Sequence, residues 1–200
     1  VYYNQQGQDQ NALRILGDAG MNYVRLRVWV NPEDGFDDEQ ELLEGARQAK
    51  AHHMKLLLDF HCSDTWTDPG DQVTPAAWAN DTLPQLEAQI YSYSKKVVGD
   101  LVRQGTPPAM VQTGNEINGG FLWPTGFDYG PTDAWPTFGA LLKSAISGVF
   151  VLARLPRRAP VDAGPDGRPL PQADHPRRDR VPLDPADRRP HRAPELQRRQ

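Results

Sequence analysis

The apolar positions of the first 150 residues switch repeatedly between the period of a helix and that of a strand. Leu13, Ile15, Leu16 and Ala19 fall at helical spacing between Asp9 and Ala19, and Gly20 supplies a stop signal. Tyr23 to Val30 then alternates strictly and is rich in β-branched and aromatic residues, which predicts a strand. Its residues Val24, Leu26, Val28 and Val30 share one face, and Tyr23, Arg25, Arg27 and Trp29 the other. Two arginines and a tryptophan on one face of a buried strand require acidic or sugar partners. Leu42, Leu43, Ala46 and Ala49 predict an amphipathic helix from Glu39 to His53. Met54 to Phe60 is a near-continuous apolar run, the kind buried on both faces of a parallel sheet. A loop from His61 to about Asn80 carries Trp66, Pro69-Gly70, Pro75 and Trp78, and loops of that length in a compact domain are usually functional. A helix from Leu83 to Gln104, a strand opening at Met110 and a helix from Ala134 to Gly148 complete the series.

Helices and strands in strict alternation imply parallel strands joined by right-handed crossovers, in a doubly wound sheet or a barrel. No Gly-x-Gly-x-x-Gly or Walker-type loop follows any strand, so nucleotide binding lacks its usual support. Polar and aromatic residues instead gather just after each strand: Trp29 with Asn31, His61 to Asp64 with Trp66, and Asn115-Glu116 with Asn118. Barrel enzymes keep their catalytic groups at that end of the strands. In Met110-Val-Gln-Thr-Gly-Asn-Glu-Ile-Asn118 the apolar run stops where a carboxylate begins, so Glu116 reads as a partly buried general acid/base. A helix-capping or loop glutamate is the competing reading, and for an isolated Asn-Glu pair it is the commoner one. His61 and Asp64 have no third ligand at metal-binding spacing, so no metal site is expected. His52 and His53, at a helix end, read as solvent-facing.

Composition changes this picture at one point. The 200 residues suffice for a real core but fall short of the roughly 250 of an eight-stranded barrel. A net charge of −4 argues against a dedicated nucleic-acid binder. No apolar run approaches the roughly 20 residues of a membrane span. The single cysteine, Cys62, excludes an internal disulfide framework and leaves the compartment open. The chain opens on Val1-Tyr2-Tyr3 with neither methionine nor a basic-then-apolar leader, which suggests a fragment that has lost any signal peptide.

Residues 1–150 carry 10 Lys+Arg against 19 Asp+Glu, whereas 151–200 carry 12 Arg, no Lys and 7 acids. That last stretch uses only Val, Leu, Ala, Arg, Pro, Asp, Gly, Gln, His and Glu. Each can be written with a codon beginning in G or C, while the absent types have codons beginning only in A or T. A frameshift near Phe150 in a GC-rich gene accounts for this pattern, and reading the DNA in the other forward frames tests it. A Pro/Arg-rich linker and a basic RNA-binding tail are the alternatives, the second weakened by missing aromatics and interleaved Asp. On any of these readings 150–200 is expected to be disordered, because the ten prolines of 151–200 without an aromatic cannot build a core.

Gly20-Met-Asn-Tyr-Val-Arg-Leu-Arg-Val-Trp-Val-Asn-Pro32, Lys55-Leu-Leu-Leu-Asp-Phe-His-Cys-Ser-Asp-Thr-Trp-Thr-Asp-Pro-Gly70, Pro75-Ala-Ala-Trp78, Val111-Gln-Thr-Gly-Asn-Glu-Ile-Asn-Gly119 and Leu122-Trp-Pro-Thr-Gly126 stand in collinear order. Together they resemble glycoside hydrolase family 53, the arabinogalactan endo-β-1,4-galactanases, over roughly residues 7 to 149. The resemblance implies an α/β fold: an incomplete (β/α)8 TIM barrel of about strands two to four with their helices. Residues 1–149 would form this partial barrel domain and 150–200 the disordered tail. It implies a retaining mechanism with glutamates at the ends of the fourth and seventh strands, Glu116 matching the fourth-strand acid/base. Asn115 matches the asparagine that hydrogen-bonds the sugar 2-hydroxyl. Arg25 and Arg27 match second-strand arginines, at least one of which should hold the nucleophile ionised. His61, Asp64 and Trp66 match a cleft-lining loop, where Trp66 either stacks on galactose or merely packs. Cys62 departs from the family's usual tyrosine and puts cleft shape in doubt.

The resemblance further implies a secreted enzyme acting on β-1,4-galactan, with no cofactor, no nucleic acid and no membrane partner. Calcium occurs in some members, but no ligands for it are identifiable in this sequence. Strand one would precede Val1, and strands five to eight, including the nucleophile, have no counterpart after residue 149. The isolated chain is therefore expected to be inactive. A related retaining barrel hydrolase on another β-linked polysaccharide, or a non-catalytic galactan-binding pseudo-enzyme, remains open at this point.

Overall fold

The computed structural model describes residues 2–128 and 135–153, so the expectations for the tail beyond 153 lie outside the described residues. Helix α1 (Ala12–Asp18) starts later than its periodicity suggests because Asn11 takes the cap, its Oδ1 accepting the amides of Leu13 and Arg14. Strand β1 (Tyr23–Val28) ends two residues early. The amides of Trp29 and Val30 leave the ladder for the carbonyls of Asp37 and Ser63. Helix α2 (Glu39–Ala51) is capped by Asp38, with Glu39 and Glu41 in its first turn and Lys50 in its last, all favourable to the helix dipole.

Strand β2 (Lys55–Phe60) leads into the long loop, which contains one 3-10 turn at Ala76–Trp78. Helix α3 (Leu83–Arg103) opens with Gln85 accepting the Thr82 amide and with Pro84 in its first turn. It buries one stripe, Leu86, Ile90, Ser94, Val97 and Leu101. Strand β3 (Met110–Thr113) is short, and α4 (Trp135–Ala153) runs past the expected end at Gly148. Gly148 lets α4 lie directly against α3: a Cβ there would stand 2.4 Å from the Tyr91 carbonyl oxygen. Among the described residues no helix is long and apolar enough to cross a membrane.

The three strands are parallel and lie in the order β1-β2-β3. Register aligns Leu26 with Leu58 and Val111, and Arg27 with Asp59 and Gln112. Because side chains alternate, the first set joins Val28, Leu56 and Phe60 on the helix side. That side shares one apolar cluster with Leu42, Leu86, Ile90, Val97, Leu101 and Leu141. The second set carries the charge. Strands in sequential order, each followed by a helix, are what an arc of a barrel contains, and this sheet is compatible with an incomplete one.

Candidate active site at the strand ends

Five polar residues close a ring on the charged side of the sheet, from Arg25 on β1 and Asp59 on β2 to the loops that follow β2 and β3. Arg25 on β1 donates through one terminal nitrogen to Asp59 Oδ2 at 2.5 Å and to Asn115 Oδ1 at 2.7 Å. Asn115, just after β3, donates from Nδ2 to the Thr67 carbonyl at 2.8 Å. The Thr67 amide donates to His61 Nδ1 at 3.2 Å, and His61 Nε2 lies 3.5 Å from Asp59 Oδ2. A backbone amide can only donate, so Nδ1 presents its lone pair and the proton of neutral His61 sits on Nε2, facing Asp59. The same logic fixes the Asn115 amide: Oδ1 faces a guanidinium and Nδ2 a carbonyl. One of the two Nδ2 hydrogens is thereby used.

Asp59 is only 1% exposed and would be costly to bury ionised without these partners. Its Oδ1 has no hydrogen-bond partner among the described residues. The sequence signal for Asp59 was present, a carboxylate inside the apolar run from Leu56 to Phe60. Thr67 and Gln72, which also hold this site together, carry no local signature.

The two arginines on the same face of β1 have different surroundings. Arg27 pairs with Asp37, and its guanidinium lies 5.0 Å from the Trp66 ring and 5.8 Å from the Phe36 ring. Only Arg25 reaches Asn115. Trp66 also packs on His61 at 5.3 Å between ring centres, yet stays 49% exposed, so one site offers both packing and an open aromatic surface. Asp64 is a loop staple, its two oxygens accepting the amides of Asn31 at 2.9 Å and Ala76 at 2.8 Å. It does not pair with His61, and among the described residues no three His, Cys, Asp or Glu side chains form a metal-binding group.

Cys62 is buried within the apolar cluster. Burial first, and the Asp59 charge second, push its thiol far above the ordinary range, so it stays protonated and unreactive. Tyr93 is raised well above its ordinary range by burial, and its hydroxyl donates to the Trp29 carbonyl at 3.0 Å, tying α3 to the end of β1.

Glu116 ends the turn after β3. Gly114 has φ +107° and Glu116 itself φ +53°, a left-handed conformation that costs a residue with a side chain about 1–2 kcal/mol. The partial burial expected for Glu116 is not found: the residue is exposed, and its carboxylate has no hydrogen-bond or ion-pair partner among the described residues. The reason is topological. β3 borders only β2, and no described strand covers its other edge.

Residues 1–155 match the family described as Glycosyl hydrolase family 53. A probable arabinogalactan endo-beta-1,4-galactanase A of Aspergillus terreus is 44% identical over 149 residues, covering 74% of this chain and 42% of that protein. The endo-beta-1,4-galactanase of Bacillus subtilis is 40% identical over 133 residues, covering 62% and 31%. Among solved structures, the Ignisphaera aggregans family 53 catalytic domain superposes with a TM-score of 0.70 at 40% identity, covering 76% of this chain and 43% of that one. The chain thus spans under half the length of these relatives. Motif order, parallel strand arc and superposition agree that the chain belongs to glycosyl hydrolase family 53.

Proposed function

We propose that this chain carries the acid/base half of a retaining endo-β-1,4-galactanase site, built on strands two to four of a (β/α)8 barrel. The observation that carries the reading is the contrast between adjacent residues after β3: Asn115 is locked by Arg25 and Thr67, while the Glu116 carboxylate is uncommitted. Glu116 would protonate the glycosidic oxygen as the bond breaks and later take a proton from the attacking water. The remaining Nδ2 hydrogen of Asn115 would meet the sugar 2-hydroxyl, a contact that strengthens in the transition state. Arg25, held between Asp59 and Asn115, is the arginine suited to keep a nearby nucleophile ionised. The exposed face of Trp66 would stack on a galactose ring. The substrate is β-1,4-galactan of type I arabinogalactan, encountered outside the cell, and the chemistry uses no cofactor.

Retention needs a second carboxyl group about 5–5.5 Å from the first. The other carboxylates named at this end of the sheet are committed: Asp59 to Arg25, Asp37 to Arg27, Asp64 to two amides. The purified 200-residue chain is therefore expected to release no reducing sugar from β-1,4-galactan. Hydrolysis that Glu116→Gln abolishes would overturn the half-site reading.

Joining residues 1–149 to the remainder of the Aspergillus terreus relative tests the role of Glu116 itself. In that chimera Glu116→Gln should lower galactan hydrolysis about 10²- to 10⁴-fold. It should spare attack on an aryl galactoside whose leaving group needs no proton. Equal loss of kcat/KM, which reports the bond-breaking step, on both substrates excludes the acid/base role.

A further inference from the structure

We propose that Gln72 is a positioning residue for Glu116, clamping the main chain of the Asn115–Glu116 pair from the neighbouring loop. The proposal rests on Glu116 being the acid/base and adds the device that holds it. Gln72 lies in the loop after β2, is almost fully buried, and donates from Nε2 to the Asn115 carbonyl at 2.8 Å and the Asp68 carbonyl at 3.0 Å. The Glu116 carbonyl is a third, longer contact at 3.4 Å. An amide nitrogen has two hydrogens, so the two short contacts take them and the direct hold is on the peptide that leads into Glu116. The amide orientation is unambiguous, because turning it over would set Oε1 against three carbonyl oxygens.

Glu116 needs such a hold. Its left-handed φ persists only where the surroundings over-determine it. The Glu116 side chain contributes nothing, having no partner among the described residues, and its carbonyl is otherwise tied only locally, to the Asn118 amide at 2.9 Å. Gln72 is itself anchored. Its carbonyl accepts the Trp123 amide at 2.8 Å, Val73 forms a parallel bridge with Trp123, and the Thr74 hydroxyl donates to the Trp123 carbonyl at 2.7 Å. The two loops are zipped together above the strands. The Gln72 side chain carries that rigidity back to the strand end, directing the Glu116 carboxylate.

Gln72 Oε1 is buried with no partner among the described residues. That cost is borne by a side chain whose other end satisfies the carbonyls of the turn.

NMR on the full chain tests this without any galactan. The wild type should show a scalar coupling across the hydrogen bond from Gln72 Nε2 to the Asn115 carbonyl carbon. Glu116 should show the strong amide-to-Hα cross-relaxation of a left-handed residue. Gln72→Met removes the donor at similar length, and the Glu116 signature should weaken while those of His53 and Cys62, also left-handed, stay unchanged. Absence of the coupling in the wild type overturns the proposal even if the variant does not fold, and so does a left-handed signature at Glu116 that survives Gln72→Met. In the chimera, Gln72→Met should lower kcat on galactan about 10- to 100-fold with KM unchanged. A higher KM at constant kcat would also overturn the positioning role. A chimera inactive before substitution would sink the galactanase reading and leave the NMR result to decide the clamp.

Discussion

Leu56, Leu58 and Phe60 turn from β2 into an apolar cluster with α3 and α4, while Asp59, between two of them, turns the other way into a ring of polar contacts. The two sides of one strand are stabilised differently. Apolar burial is non-directional and grows with area, so neighbours partly compensate one another. The polar ring is directional, and losing one member leaves buried donors or acceptors unpaired. The helix side therefore holds most of the stability, and the strand ends hold the geometry.

The largest test of that division is Phe60→Ala. It should cost about 3–5 kcal/mol in urea unfolding, because a fully buried ring leaves a cavity. A loss below about 1 kcal/mol would mean that the helix side is loosely packed. Asp59→Ala should cost less, about 1–3 kcal/mol, since it strips Arg25 of an acceptor and removes the carboxylate 3.5 Å from His61 Nε2. Arg25 is half exposed and can turn to water, which limits the loss. A cost above that of Phe60→Ala would reverse the ranking of the two sides.

A smaller effect comes from the polar exception among the outer helices. Lys96 on α3 bridges Glu39 on α2 and Asp100. Burial first, then the hydrogen bond to Asp100, raise the Glu39 carboxyl above its ordinary 4.5. A carboxyl raised in the folded state stabilises while protonated, so this contribution is present below pH 4.5 and lost as pH rises through the folded value. Asp100 works in the opposite sense. It is held down to about 2, by the Glu39 hydrogen bond first, and its contribution is lost only as pH falls from 3.8 toward that value. Thermal melts above pH 4.5 should show Glu39→Gln lacking a decline of under about 1 kcal/mol that the wild type shows. Parallel profiles would exclude Glu39 as its source.

The smallest effect is a gain. Glu116→Gly should raise stability by about 0.5 kcal/mol, because relief of the left-handed strain exceeds glycine's added entropy cost. Chemical denaturation measures it, and a clear loss would mean that the carboxylate has a stabilising partner.

The same division governs what the amino-acid order revealed. α2, β2 and α3 were legible because their burial follows a period, and the family motifs brought out Glu116 at a strand end. The early end of β1 was not, since Trp29 and Val30 are drawn off by the carbonyls of Asp37 and Ser63, partners that no period encodes. Arg25 and Arg27 looked equivalent on one face, and only the placement of Asp37, Asp59 and Asn115 separates them. Asp64 was marked by its match to a family loop motif, but the amides of Asn31 and Ala76 that its carboxylate accepts leave no trace in the residue order. The exposure of Glu116 follows from what borders β3, a property of topology that lies outside any local window.

The contact at Gly148 bears on mutational tolerance. Every single-base change in a glycine codon that alters the residue either adds a side chain or ends the chain, and any Cβ at 148 would run into the backbone of α3 at Tyr91. In a saturation screen scored for folding, position 148 should be depleted of all substitutions, alanine included. Neighbouring surface positions of α4 should accept most.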